Sequence, residues 1–544
     1  MAASGLKTAA RRWIVPVLAG ALMAGCAIVG PDFTTPAAPK QPHWVRAAVA
    51  SHAQYAGVTE RRQPSVEWWR RFNDPVLNQL VAMAYQQNLT LQIAGLRIIE
   101  ARAQLGIVIG DQFPQTQKVG AEYKRERVSK NVGILRDIAE VIDFDPTFQT
   151  WSTGFDAGWE LDIWGKVRRG IEAATANLVA QIADYDDVLV IITGDVATAY
   201  VTIRELQEEL ALARRNVNTQ SESLRITELR FKNGVTTELD VDEAKALLNS
   251  TKAEIPALEA DLVKAKNALA VLLGVPPGQI DGLVDRPGAI PRPPAEVGLG
   301  IPADLLRRRP DIRAAEMRAA AQSAQIGVAK ADLYPQFGIS GQIGFKATDL
   351  DDLFSNQSLT GLINPGISWD FLNYGRIRNN VRVQDARYQA LIVNYQQTVL
   401  EAYSEVESAL TAFLKAKQEA LYLSRAVEAS RKATRVAIEQ YRDGTTDFTR
   451  VLNTQTTLLR TEQRLASVRA DVVVNLIAVY KALGGGWQPA NQRPFVNQAN
   501  KDQMAARTNW GRLLDEDAIT PSERALEPPP SPRLNPRRFE PADW

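Results

Sequence analysis

Trp159-Glu-Leu-Asp-Ile-Trp-Gly-Lys-Val-Arg168 and Trp369-Asp-Phe-Leu-Asn-Tyr-Gly-Arg-Ile-Arg378 are one motif written twice. Each opens on Trp and an acid, reaches an aromatic–glycine pair (Trp164-Gly165, Tyr374-Gly375), and runs into a basic segment. The shift of 210 places persists at Tyr185/Tyr395, Phe231/Tyr441, Gly234/Gly444 and Gly274/Gly484. Upstream, Asn88–Gln115 and Arg309–Gln336 correspond with a shift of 221, at Gly106/Gly327, Asp111/Asp332 and Pro114/Pro335. A series of matches in register is the mark of an internal duplication. The change of shift gives the first copy 11 extra residues between Pro114 and Trp159.

Each copy reads as helix, strand, loop, strand, long helix, long helix. Trp151, Thr153, Phe155, Ala157, Trp159, Leu161 and Ile163 alternate with Gly154, Asp156, Gly158, Glu160 and Asp162, and Phe337 to Phe345 repeats the pattern. Period-2 alternation predicts amphipathic strands, and aromatics at strand ends suit a membrane interface. A small soluble sheet would show the same alternation. From Gly165 to Phe231 the only breakers are Gly170 and Gly194, and none follows Gly375 before Tyr441. Val241, Ala244, Leu248, Thr251, Ile255, Leu258, Leu262, Ala265, Leu269 and Leu272 step by 3 and 4, as do Val451 to Ala482 in the second copy. Such a stripe is a coiled-coil seam, with a kink expected at Pro256. Asn233-Gly234 and Asp443-Gly444 read as breaks between helices. Hairpin tips are placed near Leu212 and Leu423.

Composition narrows the function. The chain has 544 residues, 45% apolar and 23% charged, with a formal net charge of +1. That balance offers no electrostatic case for nucleic acid. One cysteine (Cys26) and two histidines (His43, His52) exclude a Cys/His metal centre and an intrachain disulfide. No catalytic constellation, metal site or cofactor is expected. Gly484-Gly-Gly486 lacks the Lys-Ser/Thr of a phosphate loop and reads as a helix end. Asp184, Asp186, Asp187 and Asp195 read as the wet face of a helix, and Trp68 to Arg71 as packing.

Residues 1–25 form a secretory signal: Arg11-Arg12, an apolar run from Trp13 to Met23, then Ala24-Gly25 before Cys26. A Cys after two small residues resembles a lipobox, so Cys26 is the expected lipidation site, although an ordinary signal could carry an incidental Cys. No later run of about 18 apolar residues could form a membrane helix, so a membrane-spanning form would require a closed β-barrel. The expected domains are an extended and equatorial segment (26–75), the first repeat (76–274), a Pro-rich linker (275–300), the second repeat (301–487) and a loosely ordered Pro-rich tail (488–544).

Cys26-Ala-Ile-Val-Gly-Pro-Asp-Phe33, Trp68-Trp-Arg-Arg-Phe-Asn-Asp-Pro-Val-Leu77, Leu305-Leu-Arg-Arg-Arg-Pro-Asp-Ile312 and Tyr480-Lys-Ala-Leu-Gly-Gly-Gly-Trp487 are similar to motifs of outer-membrane factors of the TolC/OprM type. The branch resembled is that of NodT-like lipoproteins. The resemblance implies an α+β fold: a duplicated long-helix coiled-coil α-barrel joined to a trimeric, twelve-stranded outer-membrane β-barrel. It implies a homotrimer, anchored in outer-membrane lipid, that meets a periplasmic adaptor and an inner-membrane transporter, commonly of the resistance–nodulation–division (RND) type. The implied function is an efflux exit channel, not an enzyme, shut at its periplasmic end. Where that pattern has an acid this sequence has Arg431; with Arg425 and Glu428 it makes a candidate gate lock, or else a solvated helix face. The competing reading is a lipid-anchored periplasmic coiled-coil adaptor.

Overall fold

The computed structural model describes residues 28–39, 43–44, 58–59, 66–131, 137, 142, 144–286, 288–300, 308–488 and 494–515. Cys26 lies outside them. The first repeat contributes α1 (Pro75–Gln87), α2 (Leu89–Gly110), β1 (Thr116–Arg127), β2 (Thr147–Leu161), α3 (Lys166–Lys232) and α4 (Glu238–Leu272). The second contributes α5 (Pro310–Ala331), β3 (Gln336–Ala347), β4 (Leu359–Ser368), α6 (Arg376–Arg442) and α7 (Phe448–Ala482). The duplication is exact enough that α3 and α6 both have 67 residues, and α4 and α7 both have 35.

Local chemistry sets the boundaries. Asp74 caps α1, accepting from the Val76 and Leu77 amides at 2.9 and 3.1 Å, with Pro75 at the first helical position. Thr237 and Asp240 form a capping box at the start of α4, and Asp447 accepts from the Arg450 amide at 3.0 Å at the start of α7. Helix α4 continues through Pro256.

Each 67-residue helix is unbroken, which at ~1.5 Å per residue is about 100 Å of rod. The expected hairpin tips at Leu212 and Leu423 are therefore corrected: both residues are inside these helices, Leu212 buried and Leu423 half-buried. Leu and Ala are among the strongest helix formers, so the apolar run around Leu212 extends a helix and does not turn it. The chain reverses at the glycine breaks instead, Gly234 at φ 71° and Gly444 at φ 79°. In the left-handed region glycine avoids the Cβ clash that other residues suffer.

Helix α3 packs on α2, α4, α5 and α7, while α6 packs on α5 and α7. The main core lies where these helices converge. It holds Trp68, Leu80, Ile98, Leu189, Tyr200, Val399, Leu410, Phe413, Leu476 and Tyr480, each 1% exposed or less except Tyr480 at 2%. The four strands form one antiparallel sheet in the order β1-β2-β3-β4.

One part of the tail departs from expectation; residues 489–493 and 516–544 lie outside the described ones. Residues 494–515 pack, with α8 (Gln498–Arg507) laying Met504 against Ile99 and Val496, supported by Phe495, Trp510 and Leu514. The loose tail was inferred from mean polarity, whereas docking needs only a few apolar side chains at suitable spacing.

Candidate functional site: channel wall, helix tips and anchor

The sheet presents two unlike faces. Register places Trp151, Phe155 and Trp159 beside Ala347, Ile343 and Ile339, and places Ile339 and Ile343 beside Pro365 and Gly361. Val119 and Tyr123 join the same face through Phe155 and Trp151. This apolar face is exposed, with Val119 at 83%, Ile343 at 57% and Ile363 at 81%. A soluble protein rarely leaves so broad an apolar surface in water. The other face carries Lys118, Glu122, Ser152, Asp156, Ser340, Gln342 and Asn364.

That polar face is also where the sheet folds tightly. Gly120, Gly154 and Gly344 stand in one row across three strands. A Cβ at Gly344 would come within 2.3 Å of the Thr153 carbonyl oxygen, and one at Gly154 within 2.8 Å of that of Ile343. Strands of 12, 15, 12 and 10 residues are roughly 33–50 Å long at ~3.3 Å per residue, enough to cross a bilayer when tilted. The outer strands β1 and β4 each have an unpaired edge, which a membrane does not tolerate.

At the opposite end of the helices the two hairpins meet. Arg230 donates to the Tyr441 carbonyl at 2.6 Å and lies 4.7 Å from the centre of its ring. Beneath them Ile226, Ala244, Ala437, Tyr441, Phe448 and Val451 form a small apolar cluster. The expected Arg425–Glu428–Arg431 lock takes a different form. Arg431 pairs with Glu462 across its own hairpin, Nε and Nη2 at 2.7 and 2.6 Å. Glu462 is only 9% exposed and also accepts from Asn216 of the other hairpin at 3.4 Å. Arg425 and Glu428 are exposed and join neither Arg431 nor each other. Glu462 carried no sequence signal, because it sits within a polar helix and only helix–helix register brings it to Arg431.

Further along the same seam, Glu205 is half-buried beside Ser467 and Asp471 of α7 and Glu209 of its own helix. Burial pushes its carboxyl up to about 7; the Ser467 contact works against this, and the charges of Glu209 and Asp471 add to it. The aspartates of α3, read as a wet face, are corrected in the same way. Asp184 pairs with Arg318 of α5, and Asp195 with Lys481 of α7 at 3.2 Å. Burial raises Asp187 to about 6. A helix enclosed by four others has little surface left for a wet face.

The chain that follows Cys26, the expected lipidation site, is described from Ile28 onward. The Val29 amide donates to the Trp164 carbonyl at 3.1 Å, and Ile28 abuts Gly165, where β2 turns into α3. Arg169, nearly buried, holds this segment through the Val29 carbonyl at 3.2 Å and Asp32 at 2.8 Å. The segment then descends the helices: Thr35 donates to Glu316 at 2.7 Å, and Trp44 to the Gly300 carbonyl at 3.0 Å. Residues 28–32 are thereby held at the base of the sheet.

Trp68 is buried, stacked on Tyr480 at 5.3 Å, with its Nε1 donating to the Gly485 carbonyl at 3.4 Å. Of the Trp68–Arg71 stretch expected to pack, Trp68 and Trp69 are buried while Arg70 is exposed, and the glycine triplet closes α7, with Gly484 at φ 67°. No group of three or more His, Cys, Asp or Glu able to hold a metal occurs among the described residues, and none of their helices is long and apolar enough to cross a membrane.

The family described as outer membrane efflux protein matches residues 80–275 and 301–485, one segment per repeat. The pyoverdine export outer membrane protein OpmQ of Pseudomonas putida is 30% identical over 425 residues, 78% of this chain and 89% of that protein. Nodulation protein T of Rhizobium leguminosarum is 30% identical over 474 residues, 86% of this chain and 96% of its own length. The solved outer-membrane channel OprN superposes with a TM-score of 0.78 at 34% identity, covering 85% of this chain and all 100% of that one. CusC gives 0.72 at 26% identity, over 84% of this chain and 100% of its own. With a two-faced sheet above a hundred-ångström helical shaft, and a family match over both repeats, the chain belongs to the outer membrane efflux protein family and is an outer-membrane exit channel.

Proposed function

We propose that three copies of this chain close into a single duct, each supplying four strands to a twelve-stranded barrel and its helices to a periplasmic shaft. One observation carries this reading: an open four-stranded sheet with an apolar face, a polar face and two unpaired edges. Joining β4 of one copy to β1 of the next removes every edge. The helical layer supports the same closure. Leu400 and Tyr422 on α6, and Ile93, Ile107, Val263 and Val271 on α2 and α4, are large hydrophobic side chains left 53–71% exposed. The polar sheet face then lines a water-filled bore, and Cys26 carries the lipid.

The tips at Gly234 and Gly444 form the periplasmic mouth, which meets a periplasmic adaptor and an inner-membrane transporter of the RND type. The energy for transport comes from that transporter. Arg431, Glu462 and Asn216 tie the hairpins together near the mouth, and the assembled pump favours the released state, a shift of population. Single-channel recording of detergent-purified protein in a planar bilayer, paired with its mass by native electrophoresis, tests the reading. A trimer with small, discrete conductance steps is expected, and Arg431→Ala raises the conductance. A water-soluble monomer without channel activity overturns the duct, and an unchanged Arg431→Ala conductance removes that residue from the gate. Acylation of Cys26 is read from the mass of the mature N-terminal peptide, and Cys26→Ser abolishes it.

A further inference from the structure

The duplication makes one junction inside the chain a template for another that a single chain cannot complete. Where β2 meets β3, the two repeats are joined below the sheet by three contacts. Trp164 stacks on Tyr334, ring centres 4.8 Å apart and planes at 27°. Its Nε1 donates to the Pro335 carbonyl at 2.7 Å. Lys166 pairs with Asp332 at 2.7 Å.

The partners come from matching turns of different repeats. Trp164 and Lys166 begin α3 in the first, and Asp332, Tyr334 and Pro335 end α5 in the second. Their repeat mates are Tyr374 and Arg376 on one side, and Asp111, Phe113 and Pro114 on the other. These turns are equivalent in three dimensions as well as in sequence. Trp159 Nε1 donates to the Gln112 carbonyl at 3.2 Å, and its mate Trp369 donates to that of Leu333, the mate of Gln112, at 3.0 Å. Gly165 and Gly375 share φ values of 79° and 78°.

Yet the second set of groups does not meet within the chain. Tyr374 is 100% exposed and Phe113 is 62% exposed. They lie at the ends of β4 and β1, the two free edges of the sheet. Arg376 is left with a loose 3.6 Å approach to Asp370 in which both side chains are about three-quarters exposed. Tyr374 is also one of only two non-glycine residues with positive φ among the described residues, at 49°. Trp164, which has its partner, is not one of them. A side chain is disfavoured in that region, where its Cβ crowds the backbone, so the Tyr374 turn is strained where the Trp164 turn is not.

We propose that Tyr374 and Arg376 of one copy seat on Phe113 and Asp111 of the next, reproducing the Trp164–Tyr334 and Lys166–Asp332 contacts at each seam between copies. The inference rests on the trimer reading and adds to it the residues that make the seam just below the barrel. Aromatic stacking supplies area and orientation, and the ion pair sets register.

Two paired cysteine variants of the full chain test this, each treated in detergent with a short bifunctional methanethiosulfonate. Phe113→Cys with Tyr374→Cys is expected to give covalent dimers and trimers on denaturing gels, and neither single variant does. Trp164→Cys with Tyr334→Cys, the internal counterpart, consumes its thiols while the chain stays at monomer mass. If the internal pair reacts and native electrophoresis shows a trimer, yet the first pair gives no covalent oligomer, the seam contact is overturned and the trimer stands. A monomeric wild-type protein overturns both. A charge swap reads the ion pair separately: Arg376→Asp lowers the temperature at which the trimer dissociates, and adding Asp111→Arg restores it. Failure of the double variant to recover removes the ion pair from the seam.

Discussion

Glu205 shows how the helical shaft treats charge. Its carboxyl is half-buried among Ser467, Asp471 and Glu209, and its folded-state affinity for a proton is raised to about 7 from an ordinary value of 4.5. Between those values the folded state binds more protons than the unfolded one. Stability therefore falls as pH rises through that window. Glu205→Gln removes the effect: its thermal midpoint gains on that of the wild-type protein between pH 5 and pH 8, measured in detergent by circular dichroism. Equal differences at the two pH values would show that Glu205 keeps its ordinary affinity. Arg169 presents the opposite case, a buried guanidinium satisfied by Asp32, Glu172 and a backbone carbonyl. Charge in this protein is tolerated inside where several acceptors converge on it.

Among the elements, α2 is the one read three ways around its circumference. One face enters the core through Leu91, Ala94, Ile98 and Leu105. A second leaves Ile93 and Ile107 exposed, available to the neighbouring copy of the proposed trimer. The third receives the C-terminal segment, where Gln92 accepts from Asn500 at 3.1 Å and Arg102 donates to the Asp515 carbonyl at 3.2 Å. The segment lies so close that a Cβ on Gly95 would stand 2.0 Å from the Phe495 carbonyl oxygen. Two substitutions in this one helix should therefore act in opposite directions. Gly95→Ala dislodges the segment and lowers the thermal midpoint. Gly106→Ala, with nothing within 4 Å, gains about 0.5–1 kcal/mol of helix propensity. A stabilised Gly95→Ala variant would mean that the segment does not dock there.

For the whole molecule, the segment from 494 to 515 lies beyond the family match, which ends at residue 485, yet it helps hold the first repeat together. Phe495 meets Tyr185 edge-on at 5.2 Å, and Arg102 lies 5.7 Å from the Phe495 ring centre. Ending the chain after Gln488 uncovers Ile99 and Tyr185 and discards the burial of Val496 and Met504. The loss from those two side chains alone is on the order of 3 kcal/mol. Calorimetry of the truncated protein should show a lower unfolding temperature with channel conductance retained, since the bore and tips are untouched. An unchanged unfolding temperature would make the segment a passive appendage.

The sequence alone determined the duplication, the two-faced strands, the long helices, the glycine breaks and the position of the single cysteine. All of these are local signals, namely periodicity, turn chemistry and repeated motifs. It misplaced the hairpin tips at Leu212 and Leu423, where strong helix formers carry each helix on unbroken to its glycine break. It left Arg425, Glu428 and Arg431 open between a lock and a solvated face; tertiary packing leaves Arg425 and Glu428 exposed and gives Arg431 Glu462, 31 residues away on the antiparallel helix. It read residues 494–515 as loose with the rest of the tail, since a mean over polar residues hides the few apolar contacts that dock this segment. Tertiary structure alone decides these features because each depends on the register between elements, and a 100 Å helix can slide by whole turns without altering its own local pattern.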